Sequence, residues 1–525
     1  MVKLFEYSKK YMILMFMLYF VTLPSKMAAS LILVFIGIYF FILLSIAYVT
    51  SRQSSALAYF LGNKASPWYI VALGMIGDSL SGVTYISVPG KVYYSGLTYL
   101  QIVVGYFVGY FIIAYVLLPL YYRINLTSIY EFLEKRFDKN VQKIGSLFFI
   151  ISRLLGAAGR LYLAANVIQQ FVLGPMGFSF EWTISIILLL MLLYTIKGGI
   201  KTLVWTDALQ SLFLVLGVVL SIVAINQQLN WDITESLNQI VHSKYFKIFE
   251  WDAMKSNFFL KDFLGGIFIA VAMTGLDQNM MQKNLSCKNI TEAQKNIISF
   301  SFVLVIVNIF FQFLGILIYL YFENKNIPLP LKPDGSLYSD KVFPLLALKY
   351  LNVYSALFFI LGLTAATFSS ADSVLTTLTT SFYIDILHLH QNTHLSEKIK
   401  QKIRTLIHIV FTMLIWIVIL MYDALNNQAI VDTILMLAGY TYGPLLAMYG
   451  FGIFSKRKVS SNWLIFSCIV SPILLYLFHQ RSSQLSYKIG NELIIWNMLL
   501  SLCLILLGSY FFKENKKKSI RNKSL

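Results

Sequence analysis

Charge is what this sequence has least of. Asp, Glu, Lys and Arg make up 13% of its 525 residues, about half the ~25% of an ordinary soluble chain. That deficit excludes a water-exposed globular surface over most of the length. Cysteine is nearly absent: Cys287, Cys468 and Cys503 are the whole set. No pair has metal or redox spacing, so no disulfide framework is implied. No clustered His/Asp/Glu motif and no nucleophile elbow occurs, so the signatures of a membrane-embedded enzyme are missing. The stretch HLHQNTH at 388–394 reads as a polar cytoplasmic loop rather than a metal site.

What is present is apolar: 58% of the residues. Runs of about 20 such residues recur, each long enough to cross a bilayer as a helix. They fall at about 28–49, 68–90, 97–121, 145–174, 182–196, 203–226, 262–284, 296–322, 350–385, 403–422, 430–453, 461–478 and 490–512. Barrel strands would alternate in short segments; these runs are continuous, so helices must satisfy their own backbone groups in lipid. The expectation is an all-α polytopic protein of about thirteen spans.

The net charge of +18 does not point to nucleic acid, because of where it sits. One alternate set of loops carries more than twice the Lys and Arg of the other, which marks that set as cytoplasmic. The C-terminal tail with Lys516, Lys517, Lys518, Arg521 and Lys523 is then inside an inner (plasma) membrane. Residues 1–26 are set apart: Lys9 and Lys10 precede a short apolar stretch, like a signal peptide, or translation starts at Met27. Residues 27–525 read as a single transmembrane domain.

Two spans are interrupted. Residues 71–90, VALGMIGDSLSGVTYISVPG, and 263–282, FLGGIFIAVAMTGLDQNMMQ, place glycines beside polar residues in mid-run. Each helix-interior glycine costs about 1 kcal/mol relative to alanine, so such clusters mark unwinding, although small residues also serve close packing. The two spans are second and seventh, with opposite direction, as a five-plus-five inverted repeat over about 68–453 requires. In transporters, paired broken helices point to the binding site.

Ionisable groups inside the membrane are costly and usually functional. The candidates are Asp78, Arg153, Arg160, Asp207, Asp277 and Asp372. Ser369, Ser373, Thr376 and Thr380 line one helix face, with Ala366 a turn earlier and Ser370 alongside. Such hydroxyls suit a hard cation, or bond their own backbone. Arg153 and Arg160, seven apart on one face, either receive a carboxylate or neutralise Asp78, Asp207 or Asp372.

The blocks GDSLSGVTYISVPG, YTIKGGIKTLVWTDALQ, GLDQNMMQKNLSCKN, FSSADS and GYTYGPLL, in this order, resemble the bacterial sodium/solute symporter family over about residues 28–512. The resemblance implies a LeuT-type fold. It also implies a sodium site formed by the carbonyls of Gly77, Leu80 and Ala366 and the hydroxyls of Ser369 and Ser370. Asp207 resembles the aspartate some members use for a second sodium, with Ser369, Asp372 and Ser373 as partners. Asp372 and Asp78 depart from the family, which has a hydroxyl residue and an uncharged residue there. Solute contacts are expected from Ser79, Ser81, Thr84, Arg153, Arg160, Gln278, Tyr440 and Tyr442.

The expected activity is sodium-coupled import of a small organic solute, with a carboxylate suggested by the arginines. The within-class alternative is proton coupling through Asp78 or Asp372. A sensor on a transporter scaffold would need a signalling domain, for which the short basic tail leaves no room.

Overall fold

Continuous apolar sequence with polar interruptions folds into long helices that bend where the interruptions fall. The computed structural model describes residues 25–51, 56–332, 334–392, 394–425, 430–482 and 489–523; the reading of residues 1–24 as a signal-like extension lies outside them. Among the described residues there are no strands, only isolated bridges at Ser66–Cys287 and Leu331–Leu337.

The main helices are α1 (Ser25–Ser51), α2 (Trp68–Ser79), α3 (Gly82–Ser95) and α4 (Tyr99–Arg123). They continue with α5 (Lys139–Met176), α6 (Phe180–Ile196), α7 (Gly198–Leu229), α8 (Phe259–Gly275) and α9 (Gln278–Leu285). The remainder are α10 (Ile290–Asn324), α11 (Val353–Ile386), α12 (Glu397–Leu425), α13 (Ile430–Phe454), α14 (Ser461–Ser482) and α15 (Leu493–Lys523). Length and apolar character alone qualify nine helices as spans among the described residues, or eleven if each bent pair is one span. The expected count of thirteen is not reached on those grounds; α6, for one, is apolar but short.

Both interrupted stretches break. α2 and α3 meet at 60°, α8 and α9 at 63°. Leu80 (φ −99°, ψ 78°) and Ser81 (φ −70°, ψ 172°) leave helical geometry in the first. In the second, Asp277 is extended and its carboxylate accepts the Met280 N–H at 3.2 Å, capping α9. That satisfies one of the amide groups a helix start exposes.

Gly199 turns α6 into α7. Its φ of +56° suits glycine, and a Cβ there would lie 2.5 Å from the Tyr59 carbonyl oxygen. The charged stretch at 131–143 is split: Glu131–Arg136 is a separate short helix, and Lys139 opens α5. Asp138 separates them because its carboxylate caps α5. This stretch also packs against the bundle. Arg136 donates to the carbonyls of Gly452, Ser455 and Arg457 at 3.1, 2.7 and 2.9 Å.

Burial orders the bundle. In α11, 78% of the span's apolar window is buried; in α1 and α14 the share is 28%. Helix α11 is therefore the central element, packed on α7, α5 and α2, and α1 and α14 present their apolar faces outward, as lipid contact requires.

Candidate functional site

The site forms where broken helix α2–α3 crosses α11 and α7. Gly77, in the last turn of α2, lies against Ser369 of α11: a Cβ on Gly77 would stand 2.6 Å from Ser369 Oγ. The Gly77 N–H donates to Ser211 Oγ at 2.8 Å, fixing α2 to α7. Ala366, Ser369 and Ser370 are all fully buried. The Ser370 hydroxyl donates to the Thr367 carbonyl at 3.0 Å. Ser369 Oγ has no hydrogen-bond partner among the described residues. A buried hydroxyl without a partner is costly, and it sits beside the unwound carbonyl end of α2. That donor set fits a hard monovalent cation.

The hydroxyl stripe divides its work. Thr380 bonds back to Thr376 O at 3.0 Å. Ser373 instead reaches α7, donating to Asp207 at 3.1 Å. Only part of the stripe serves its own backbone.

The buried charges pair in a way the sequence does not suggest. Lys283, in α9, donates to both Asp78 and Asp207, and all three side chains are at most 1% exposed. Asp372 accepts from the Tyr194 hydroxyl at 2.6 Å. Arg153 Nε pairs with Asp277 at 2.5 Å, and its Nη2 donates to the Met273 carbonyl at 3.0 Å. Neither arginine therefore neutralises Asp78, Asp207 or Asp372. Lys283 was missed because it stands at the end of an apolar stretch, where a lysine normally snorkels to the interface. The usable signal was an acidic surplus: Asp78, Asp207 and Asp372 all depart from an apolar interior, and some cation had to meet them.

A cavity of about 630 Å³ adjoins these groups, within the ~300–1,000 Å³ of small-molecule sites. Asp78, Ser79, Leu80, Ser81 and Thr84 line it from the α2–α3 break, and Arg153 and Arg160 line it from α5. Arg160 is half-buried, and among the described residues no acidic side chain pairs with it. The cavity continues past Lys91, Tyr94, Ser95, Gly96 and Thr98 to Ser256, Asn257, Gly490 and Asn491.

Three expected solute contacts do not line this cavity. Gln278 is turned to the other side, where its Oε1 accepts the Ile129 N–H at 2.9 Å and its Nε2 donates to Thr127 O at 3.2 Å. Tyr442 donates to Asp277 at 2.5 Å, completing the Arg153 pair. Tyr440 bonds His479 at 2.8 Å, away from the break.

At the other end of the bundle, buried hydrogen bonds tie the segments together. Tyr121 donates to Gly275 O at 2.9 Å and Tyr130 to Leu276 O at 3.0 Å. Buried Asp385 accepts from Ser128 at 2.8 Å and from Gln142 at 2.9 Å.

Comparison with known proteins agrees with this geometry. Residues 59–465 match the profile described as the sodium:solute symporter family. The sodium/sialic acid symporter NanT of Aliivibrio fischeri is 27% identical over 448 residues, covering 84% of this chain and 85% of NanT. SiaT of Proteus mirabilis, also a sodium/sialic acid symporter, is 27% identical over 451 residues, covering 84% and 87%. Among solved structures, a Na+-coupled sialic acid symporter in a substrate-bound outward-open state superposes with a TM-score of 0.78 at 23% identity. It covers 92% of this chain and 98% of its own. That likeness shows the shared fold, the LeuT-type bundle.

Proposed function

The chain belongs to the sodium:solute symporter family, and from that premise we propose that it imports a small organic carboxylate together with sodium across a bacterial inner membrane. It is a multi-pass transporter and not an enzyme, and sodium-coupled symport of a small organic solute is its activity. The finer reading, a carboxylate, is carried by one observation. Arg160 faces the cavity with no acidic partner among the described residues, while Arg153 beside it is already neutralised by Asp277. An unpaired guanidinium in a low-dielectric cavity favours an anion and can grip a carboxylate with two parallel hydrogen bonds.

In this reading sodium sits between the carbonyls of Gly77, Leu80 and Ala366 and the hydroxyls of Ser369 and Ser370. Binding there ties α2 to α11 and holds the broken helix in the shape that lines the cavity. The solute then enters from outside, because the cavity opens toward the face with fewer Lys and Arg and the other side is closed by Tyr121, Tyr130 and the Asp385 contacts. The basic C-terminal tail lies in the cytoplasm. The repeat core spans about residues 68–453. Sialic acid, transported by NanT and SiaT, is the first solute to try.

The test is uptake into proteoliposomes, with and without an inward sodium gradient. Labelled sialic acid and other carboxylates are compared with their neutral amides as competitors. Sodium-dependent uptake blocked by acids but not by amides is expected. Uptake indifferent to sodium that collapses with a proton gradient would overturn the sodium site. Equal competition by the amides would overturn the carboxylate.

A further inference from the structure

We propose that the Lys283 ammonium is a built-in replacement for a second coupling cation, so that this chain binds one sodium ion per cycle and not two. The inference rests on the single sodium site at Gly77 and Ser369 proposed above.

The second cation position implied by the family resemblance needs oxygen from Asp207, with Ser369, Asp372 and Ser373 as partners. In this chain an ammonium already sits on that aspartate, although Asp207 Oδ1, Asp372 Oδ1 and Ser369 Oγ have no hydrogen-bond partner among the described residues. Asp207 Oδ2 accepts from Lys283 Nζ and from Ser373 Oγ at 3.1 Å. The same ammonium reaches Asp78 across the bundle, and Asp372 is held by the Tyr194 hydroxyl at 2.6 Å. A sodium ion at Asp207 would share one carboxylate with a positive charge in a fully buried setting. There repulsion is screened far less than in water. The positive charge that a second sodium would bring to Asp207 is therefore already supplied by the Lys283 ammonium.

The placement follows from the second helix break. Had α8 run straight on, Lys283 would lie at the end of a span. The 63° bend at Leu276–Asp277 redirects α9 into the bundle and brings Nζ between α2 and α7. The two residues that depart from the family, Asp78 and Asp372, sit in the same cluster. Asp78 supplies the lysine with a second carboxylate and also lines the solute cavity. A tethered cation gives the electrostatic link between α2, α7 and α9 that an ion would give, but it cannot leave. One sodium moving with one singly charged carboxylate would carry no net charge. Accumulation would then follow the sodium ratio alone.

The experiment counts radioactive sodium bound at equilibrium to the purified full chain in lipid nanodiscs, without solute, by scintillation proximity. One ion per chain, bound without cooperativity, is expected. Lys283→Met keeps the apolar stem and removes the charge. It should raise the count to about two, and adding Asp207→Asn should return it to one. Two ions bound to the unaltered chain would overturn the proposal. So would a monodisperse Lys283→Met protein that still binds one. If Lys283→Met is not recovered folded, the count on the unaltered chain decides by itself. No sodium bound to the unaltered chain would overturn the sodium site itself, and this inference with it.

Discussion

Gly77 and Ser369 meet so closely that any side chain on Gly77 must displace the Ser369 hydroxyl: the hypothetical Cβ is 2.6 Å from Ser369 Oγ and 2.9 Å from Ser211 Oγ. The contact joins α2 to the most buried helix at the point where α2 unwinds. Glycine is needed here for close approach, and its φ is not unusual.

The first prediction follows from that contact. Ser369→Ala removes a hydroxyl with no other partner among the described residues, and Ser370→Ala removes one that already donates to Thr367 O. Each should raise the sodium concentration for half-maximal uptake several-fold, and the double replacement should nearly abolish coupled uptake. The protein should still insert, since alanine is the better helix former. Gly77→Ala should have a similar effect, at least about tenfold, by pushing the ligand hydroxyl away. Initial rate against sodium concentration, at matched expression, is the measurement; an unchanged curve in the double serine variant would place the ion elsewhere.

The arginines should separate. Arg153 and Asp277 form a buried pair completed by Tyr442, and breaking such a pair costs roughly 3–5 kcal/mol. Arg153→Ala should therefore lower folded yield and thermal stability. Arg160→Ala should leave both intact and weaken carboxylate affinity by tenfold or more, with sodium binding retained. Normal carboxylate affinity in Arg160→Ala would remove the main support for an anionic solute.

Asp385 should control the closed side. Its carboxylate takes hydrogen bonds from Ser128, Gln142 and Ser146 at 2.8, 2.9 and 3.3 Å. The adjoining 127–130 segment holds Gln278 and Leu276. Asp385→Ala leaves three buried donors without an acceptor, so the segment should loosen and the bundle open inward more often. Cys287 is buried on this side, its carbonyl bonded by Tyr122 at 3.1 Å. With Cys468 and Cys503 replaced by serine, Cys287 should react faster with a thiol reagent in Asp385→Ala. An unchanged rate would show that the closure does not depend on Asp385.

Apolar run length, the two polar interruptions and the hydroxyl stripe are local properties, and they were legible in the sequence. Hydrophobicity over 20 residues decides that a helix enters lipid, and glycine beside Asp78 or Asp277 decides where it weakens. The sequence also placed Ser79, Ser81, Thr84 and both arginines among the groups that line the cavity. What periodicity cannot state is which face meets which neighbour. That Arg153 is neutralised and Arg160 is not depends on where Asp277 stands after a 63° bend. That Gln278, Tyr440 and Tyr442 point away from the cavity depends on the same bend and on the packing of α13. Lys283 is the clearest case: its partners Asp78 and Asp207 are 205 and 76 residues distant in the chain. Only the crossing of α2, α7 and α9 brings three buried charges into contact, because the cost of leaving any of them alone in a low-dielectric interior is met by tertiary neighbours and not by sequence neighbours.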